Sequence, residues 1–226
     1  MIKSQSQHVY IMCILTLLVC SHYTLNSQST YFNVPRFMTK TEGNFYIQSN
    51  LFTSKTQDKI VLNGMYRVLK NTDIGAVFIN HSNAIWTGIS VQHLTEIYPD
   101  QHFNVGGVYV PVCSGACLEE GYYVYGLISS NSLINKAHVN VGIYYGNNQF
   151  FGNYSKVGLM AGADYSILNG KVILKGEFMS GNNGMSGLNF GGTYIVSQNL
   201  GFGFGVNLVS PYPNNRPLIL QLIFNK

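Results

Sequence analysis

From Asn44 onward, apolar residues recur at every second position, and this period constrains the fold more than any other feature. Residues 157–167 place Val, Leu, Ala, Ala, Tyr and Ile on one face and Gly, Met, Gly, Asp and Ser on the other. Residues 201–209 alternate Gly or Asn with Phe, Val or Leu in the same way. Because a β-strand points successive side chains to opposite faces, the pattern predicts strands that separate two different environments.

Turn signals divide the pattern into about twelve strands by the alternation-and-turn rule. Asn169-Gly170 lies between two alternating runs and is a strong hairpin signal. The chain is therefore predicted to be all-β. The predicted strands are 44–53, 59–68, 73–80, 85–93, 102–111, 121–131, 137–146, 156–167, 171–180, 185–197, 200–209 and 216–225.

The two faces of these strands distinguish a membrane barrel from a soluble sandwich. Charged residues make up 10% of the chain, against about 25% in ordinary soluble domains. The second face carries mainly Gly, Asn, Ser, Thr, Gln and Tyr, which suits a barrel interior, while the apolar face suits lipid. A closed barrel also pairs every backbone group within the bilayer. Residues 44–226 are therefore predicted to form a transmembrane antiparallel up-and-down β-barrel of about 12 strands.

Connection lengths give a second test of this topology. If the N-terminus of the barrel lies in the periplasm, the connections on the outer side of the membrane are 112–120, 147–155, 181–184 and 210–215. The turns on the periplasmic side, here called inward turns, are 69–72, 132–136, 168–170 and 198–199. They are mostly shorter than the connections on the outer side, as in outer-membrane barrels. The stretch 94–101 departs from this pattern, because it would form a long inward turn.

The N-terminal 43 residues lie outside the alternating region. Residues 1–27 are predicted to be a secretory signal, with Lys3 at its start, a 12-residue apolar core and cleavage before Gln28. The alternatives are an uncleaved anchor helix and lipid attachment at Cys20. Residues 28–43 are predicted to be an irregular lead-in to the barrel.

Removal of this signal would leave two cysteines, Cys113 and Cys117. Exported chains meet oxidising surroundings, so the pair is predicted to form a local disulfide, with two free thiols as the alternative. Two thiols without further ligands do not make a metal site. The four histidines of the predicted mature chain are widely spaced, so no metal and no cofactor is expected.

Four charged residues are predicted to point into the barrel, because charged side chains that face lipid are costly. They are Arg67, Asp164, Lys175 and Glu177. Asp164 lies on the strand before that of Lys175, and the two side chains could form an ion pair. Such charges could form a constriction that selects permeants. They could equally form a salt-bridge network that fills a narrow lumen, since twelve strands lie between filled and open barrels.

Tyrosines near the strand ends are predicted to form girdles at the membrane–water boundary, where amphipathic rings are favoured. The strand propensity of tyrosine is the alternative explanation. The residues concerned are Tyr109, Tyr122, Tyr123, Tyr125, Tyr144, Tyr145, Tyr154, Tyr165, Tyr194 and Tyr212.

The chain resembles small outer-membrane β-barrel proteins of Gram-negative bacteria, in the broad porin-like group. The segments that carry this resemblance are the signal before Gln28, the run 163–184, the hairpins 188–208 and the closing strand 216–226. This resemblance implies an outer-membrane location, with lipid as a partner. It also implies recognition by the barrel-assembly machinery through an aromatic residue near the C-terminus. Here that residue is Phe224, two positions before the end. The membrane component of a type IX-like secretion system is the alternative relative, although its N-terminal motif is absent.

Sequence motifs for catalysis are lacking. The chain has no G-x-S-x-G elbow, H-E-x-x-H helix, Walker loop or dinucleotide fingerprint. The net charge of +4 is too small and dispersed for nucleic-acid binding. A barrel-embedded hydrolase could combine His138 with Ser129 or Ser130, but such catalysis also needs an orienting group and an oxyanion site. No enzyme activity is predicted.

The expected function is a porin-like channel or a barrel that binds small solutes. The main alternative is a structural or surface-interaction barrel whose loops 112–120, 147–155 and 210–216 contact a partner.

Overall fold

The computed structural model describes residues 44–54, 58–81, 84–114, 120–130, 137–151, 155–183, 185–209 and 217–225. The predicted signal and lead-in, over 1–27 and 28–43, lie outside these ranges. A one-turn helix α1, Asn148–Phe151, follows the seventh strand. The strands are β1 (Phe45–Thr53), β2 (Asp58–Leu69), β3 (Thr72–His81), β4 (Ala84–Tyr98), β5 (Gln101–Ser114), β6 (Gly121–Ser130), β7 (Ala137–Gly146), β8 (Val157–Ile167), β9 (Val172–Met179), β10 (Gly187–Ser197), β11 (Leu200–Val209) and β12 (Leu218–Asn225).

The twelve strands form one closed antiparallel barrel in which each strand pairs with its neighbours along the chain. β1 closes the sheet by pairing with β12, from Tyr46 opposite Asn225 to Thr53 opposite Leu218. The predicted all-β up-and-down barrel is therefore confirmed. Closure leaves no edge strand, so backbone groups of the wall have partners within the sheet.

The prediction of a long inward turn at 94–101 is wrong. β4 continues to Tyr98 and β5 begins at Gln101, which leaves a tight turn at Pro99 and Asp100. Asp100 has a positive φ of 63°, a conformation that aspartate tolerates in tight turns. Sequence alternation fades here because these strand ends carry exposed polar residues such as Thr95 and Glu96.

The outward face of the barrel is apolar. Leu174, Phe204 and Leu220 are 38–54% exposed rather than packed inside the molecule. Their neighbours in sequence, such as Lys175 and Gln221, point inward and are buried. Other outward apolar residues are Ile74, Ile89, Val91, Phe103, Val105, Val124, Ile128, Val141, Ile143, Leu159, Phe178, Phe190 and Phe202. This arrangement matches lipid-facing strands with a different inner face.

Within the ranges that the structure describes, no helix is long and apolar enough to cross a bilayer.

The two ends of the barrel differ in their connections. Lys70-Asn71, Pro99-Asp100, residues 168–171 and Gln198-Asn199 are tight turns at one end, here called the short-turn end. The connections of the opposite end, here called the loop end, are mostly longer. These include 115–120, 147–156, 180–186 and 210–217.

Exposed tyrosines lie on the outward face near both ends. Tyr66, Tyr98, Tyr165 and Tyr194 lie near the short-turn end. Tyr109 and Tyr145 lie near the loop end, where the Tyr122 and Tyr145 ring centroids are 6.2 Å apart. Outward tyrosines at both ends are typical of barrels in a bilayer.

Three tyrosines of the predicted girdles point elsewhere. Tyr123, Tyr125 and Tyr144 are buried inside the barrel. Strand alternation explains the difference, since each lies next to an outward residue at the same end. Tyr154 and Tyr212 lie outside the described residues.

A charge on the outward face tests the lipid assignment. We expect Phe204→Lys to lower the free energy of unfolding by about 2–4 kcal/mol if this position lies near the bilayer midplane. Phe204→Leu is the matched control and should change it little. Urea titration of each variant in lipid vesicles measures its free energy of unfolding, with the folded fraction detected by heat-modifiable gel migration. Equal stability of the two variants would place this face in water.

Candidate functional site in the barrel interior

The interior has two zones. Towards the loop end, apolar and aromatic side chains fill the barrel. We call the following cluster the aromatic cap: Tyr123, Tyr125, Leu127, Tyr144, Phe151, Met160 and Met179. Val77 and Ile79 of β3 and Val110 of β5 form a second apolar cluster at this end, across the intervening strand β4.

Between the aromatic cap and the short-turn end, the inner face is mainly polar, although Tyr46, Met65, Leu94 and Ile223 are also buried there. We call this zone the polar belt, and none of its side chains is more than 7% exposed. It draws on every strand except β11, which contributes Gly201, Gly203 and Gly205. The belt consists of Gln48, Asn50, Arg67, Asp73, Gln92, His102, Asn104, Ser129, His138, Asn140, Asp164, Lys175, Glu177, Asn189, Thr193 and Gln221.

Arg67 is one of the four predicted inward charges, and it is buried in the belt. Its Nη2 donates to Asp73 Oδ2 at 3.0 Å, and its Nε donates to the other carboxylate oxygen. Its Nη1 donates to the Lys70 carbonyl at 2.7 Å. Gln92 donates to Asp73 Oδ2 at 2.6 Å and accepts from the Tyr125 hydroxyl at 3.2 Å. This chain of contacts joins the belt to the aromatic cap.

Sequence reasoning missed Asp73 as a partner of Arg67. The signal was present, because Asp73 alternates with Gly75, Val77 and Ile79 on one strand face. The β2–β3 register then places Asp73 directly opposite Arg67.

The other three predicted charges, Asp164, Lys175 and Glu177, lie together on β8 and β9. The register places Asp164 opposite Lys175, as the sequence suggested. Lys175 Nζ donates to Gln221 Oε1 on β12 at 2.7 Å. Gln221 in turn donates to Asn50 Oδ1 on β1 at 3.0 Å. The belt is thus continuous across the junction that closes the barrel.

Gly203 makes this link across the barrel wall feasible. A Cβ at Gly203 would lie 2.9 Å from both the Cβ and the Oε1 of Gln221, too close for a side chain. The alternation of glycine with outward Phe202 and Phe204 therefore has a structural reason. The inner glycine leaves room for Gln221 to meet Lys175 and Thr193.

Glu177 and Asp164 contact further polar residues of the belt. Asn189 Nδ2 donates to Glu177 Oε1 at 2.5 Å. The His138 Nδ1 lies 3.7 Å from Asp164 Oδ2. Sequence reasoning paired His138 with Ser129 or Ser130 instead. Ser129 donates to the His102 carbonyl at 3.4 Å, and the register places it opposite Asn140 rather than His138.

Phe151, at the end of α1, inserts into the aromatic cap and is 2% exposed. Its ring centroid lies 5.2 Å from that of Tyr144 and 6.1 Å from that of Tyr123, edge-on to the latter. A Cβ on Gly146 would come within 2.3 Å of this ring, so glycine is needed there. Such aromatic contacts add to the stabilisation from apolar burial.

The connection that carries Phe151 is anchored to its neighbours. Asn147 accepts from the Tyr122 amide at 3.1 Å and donates to the Glu120 carbonyl at 2.7 Å. The Phe151 amide donates to the Asn147 carbonyl at 3.1 Å. The loop therefore holds its phenylalanine over the lumen.

A second connection, between β9 and β10, also reaches the aromatic cap. Asn183 is fully buried and donates to the Tyr144 hydroxyl at 2.7 Å and to the Ser155 carbonyl at 3.1 Å. Its Oδ1 accepts from the amides of Met185 and Ser186, each at 3.0 Å. One asparagine thus ties two loops to the wall of the barrel.

These contacts determine what the interior can do. Both the aromatic cap and the polar belt consist of side chains with little solvent access, so the lumen is narrow at both levels. Passage of a solute would therefore require side chains to move. For the four predicted inward charges, both the selective constriction and the network that fills a narrow lumen stay predictions.

The remaining predicted site residues are the two cysteines of the predicted disulfide. Cys113 is disulfide-bonded, while Cys117 lies outside the described residues. Pairing between these two cysteines stays a prediction. Among the residues that the structure describes, no group of three His, Cys, Asp or Glu side chains could hold a metal ion.

Comparisons with known proteins identify the fold. No protein-family model matches the chain, and no curated protein matches its sequence. The solved structure of "KdgM porin" is similar, with a TM-score of 0.64 and 13% identity over 79% of this chain and 98% of that chain. A "KdgM porin in complex with disordered oligogalacturonate" gives a TM-score of 0.62 with the same identity and coverage. The chain therefore has a porin-like barrel fold.

The buried Arg67–Asp73 pair gives a stability test. We expect Asp73→Ala to lower the free energy of unfolding by about 3–5 kcal/mol, because Arg67 would remain buried without its carboxylate. The double variant Arg67→Met, Asp73→Leu should recover most of that loss, since it removes both charges. Urea unfolding in lipid vesicles compares the variants. Equal losses in the single and double variants would contradict the pairing.

Proposed function

We propose that this protein is a porin-type channel of the Gram-negative outer membrane that passes small polar solutes and has no catalytic activity. The aromatic cap closes it at the loop end in the conformation described. The observation that carries the proposal is the polar belt, which extends around the inner face of a porin-like barrel.

The outward face supports a membrane location. It presents an apolar surface flanked by exposed tyrosines at both ends. A barrel in water would expose this surface at a large cost in free energy. The length of the strands, from eight to fifteen residues, includes the range needed by a tilted strand that crosses a bilayer.

The chemistry of the interior supports a polar permeant. A purely structural filling could consist of apolar side chains, which are often as stabilising as buried charges or more so. Here the filling below the cap includes two cations, three carboxylates and many amides. Polar linings of this kind replace part of the hydration shell of a solute during passage.

A second candidate is a structural or surface-interaction barrel, as the sequence also allowed. The low solvent exposure of the inner side chains that the structure describes favours this candidate. Its loops 112–120, 147–155 and 210–216 would then contact a partner. The hydrolase alternative gains no support, since Ser129 and His138 are both buried and Ser129 donates to a backbone carbonyl. The comparisons with known proteins give no support to membership of a type IX-like secretion system.

Assembly in the outer membrane would use the C-terminal strand. β12 ends at Asn225, directly after Phe224, and its pairing with β1 closes the barrel. Phe224 contacts Phe45 of β1, with ring centroids 5.8 Å apart. We propose that the assembly machinery recognises this strand end.

Removal of the loop-borne phenylalanine tests the channel. We expect Phe151→Ala to raise single-channel conductance in planar bilayers several-fold above the wild type, because it shortens the side chain that fills the aromatic cap. The matched control is Phe190→Ala, whose ring is outward and 51% exposed. This control should conduct like the wild type.

The same measurement separates the two candidates. Heat-modifiable gel migration first establishes that each variant is folded. Folded Phe151→Ala protein that carries no current, like a silent wild type, would contradict the channel and favour the structural barrel.

A further inference from the structure

We infer that two connections at the loop end form a single gate over the lumen, which Asn183 holds shut. This inference rests on the proposed channel and names the residues that control its opening. The gate consists of residues 147–151 and 155–156 of the β7–β8 connection, and of residues 180–183 and 185–186 of the β9–β10 connection.

Rings of the aromatic cap that belong to strands lie against the barrel wall. Gly106 lies opposite Tyr125, and a Cβ on this glycine would come within 2.6 Å of the tyrosine Cζ. Gly158 lies opposite Tyr144, and a Cβ there would come within 2.5 Å of that tyrosine Cζ. Each ring therefore occupies the space that a missing side chain leaves on the neighbouring strand. Rings held in this way can stay in place when the lumen opens.

The two connections complete the apolar packing of the cap. Phe151 of the β7–β8 connection contacts the rings of Tyr123 and Tyr144. Met185 of the β9–β10 connection packs against the same cluster. Neither Phe151 nor Met185 belongs to a strand, so both can leave the cap without breaking a hydrogen bond of the sheet. A movement of the connections therefore opens the cap while the closed sheet stays intact.

Asn183 joins the two connections to each other and to the wall. Its Nδ2 donates to the Tyr144 hydroxyl at 2.7 Å and to the Ser155 carbonyl at 3.1 Å. The Asn182 amide adds a longer bond to Ser155 Oγ at 3.4 Å. Asn183 is 0% exposed, so water does not compete for these bonds while the gate is shut. Neither connection can rise without breaking bonds that also hold the other, and the two therefore move together.

Tyr144 is the point on the wall at which both connections meet. Its ring centroid lies 5.2 Å from that of Phe151. Its hydroxyl accepts from Asn183 and donates to the Ser180 carbonyl at 2.5 Å. The ring thus holds one connection by packing, and the hydroxyl holds the other by hydrogen bonds. Replacement of this tyrosine by phenylalanine removes the second contribution and keeps the first.

Single-channel recording in planar bilayers tests the gate. We expect wild-type protein to switch in single steps between one closed and one open level, because the connections move together. Tyr144→Phe and Asn183→Ala should each raise the ratio of open to closed time about three- to tenfold, the effect of losing one buried hydrogen bond. A wild type that is almost always closed should therefore show openings in both variants.

Heat-modifiable gel migration first establishes that each variant is folded. If one of the two variants does not fold, the other still tests the same bond. In the double variant Tyr144→Phe, Asn183→Ala, the increase should fall well below the product of the two single effects, because both substitutions remove that bond.

Ser186→Ala is the matched control for the stability of one connection. Ser186 Oγ accepts from the Asn183 amide at 3.1 Å and donates to the Asn183 carbonyl at 2.8 Å, so both bonds lie within the β9–β10 connection. The substitution leaves the bonds from Asn183 to Tyr144 and Ser155 in place. Its ratio of open to closed time should resemble that of the wild type.

The outcomes distinguish the gate from the proposed channel. A conducting barrel would overturn the gate and leave the channel intact if Tyr144→Phe and Asn183→Ala close like the wild type. The same conclusion would follow if Ser186→Ala opens the barrel as much as they do, or if the wild type closes through two independent levels. Folded wild-type, Phe151→Ala, Tyr144→Phe and Asn183→Ala proteins that all carry no current would overturn the channel, and the gate with it.

Discussion

Closure of the sheet is the constraint on which the rest of this structure depends. Strand β1 pairs with β12, so the wall has no edge and its backbone groups are satisfied within the sheet. Once the sheet is closed, each side chain of a strand must face either outward or into the lumen. The apolar exterior, the aromatic cap and the polar belt are all consequences of this division.

The two interior zones stabilise the barrel in different ways. In the aromatic cap, stabilisation comes from apolar burial and ring contacts, and loop side chains complete the packing. In the polar belt, it comes from hydrogen bonds that extend from strand to strand, such as the path from Lys175 through Gln221 to Asn50. Buried polar groups need such networks, because an unsatisfied group costs free energy.

Much of this fold could be predicted from the sequence, because alternation is a local signal. The strand faces over 157–167 and the inward positions of Arg67, Asp164, Lys175 and Glu177 followed from it directly. The pairing of Arg67 with Asp73 required the register between strands. The insertion of Phe151 required the conformation of a connection, on which alternation gives no information. The type of permeant could not be predicted from the sequence either, because it depends on side-chain contacts across the lumen.

The strict alternation of inner and outer side chains limits how this sequence can change in length. Loss of one residue within β12 would turn Gln221 towards lipid and Leu220 towards the belt, and it would displace every later residue of the strand. Loss of two residues would preserve the faces and shift only the pairing. Relatives of this barrel should therefore differ by even numbers of residues inside strands, except where a β-bulge accommodates a single residue, and by any number in the connections of the loop end.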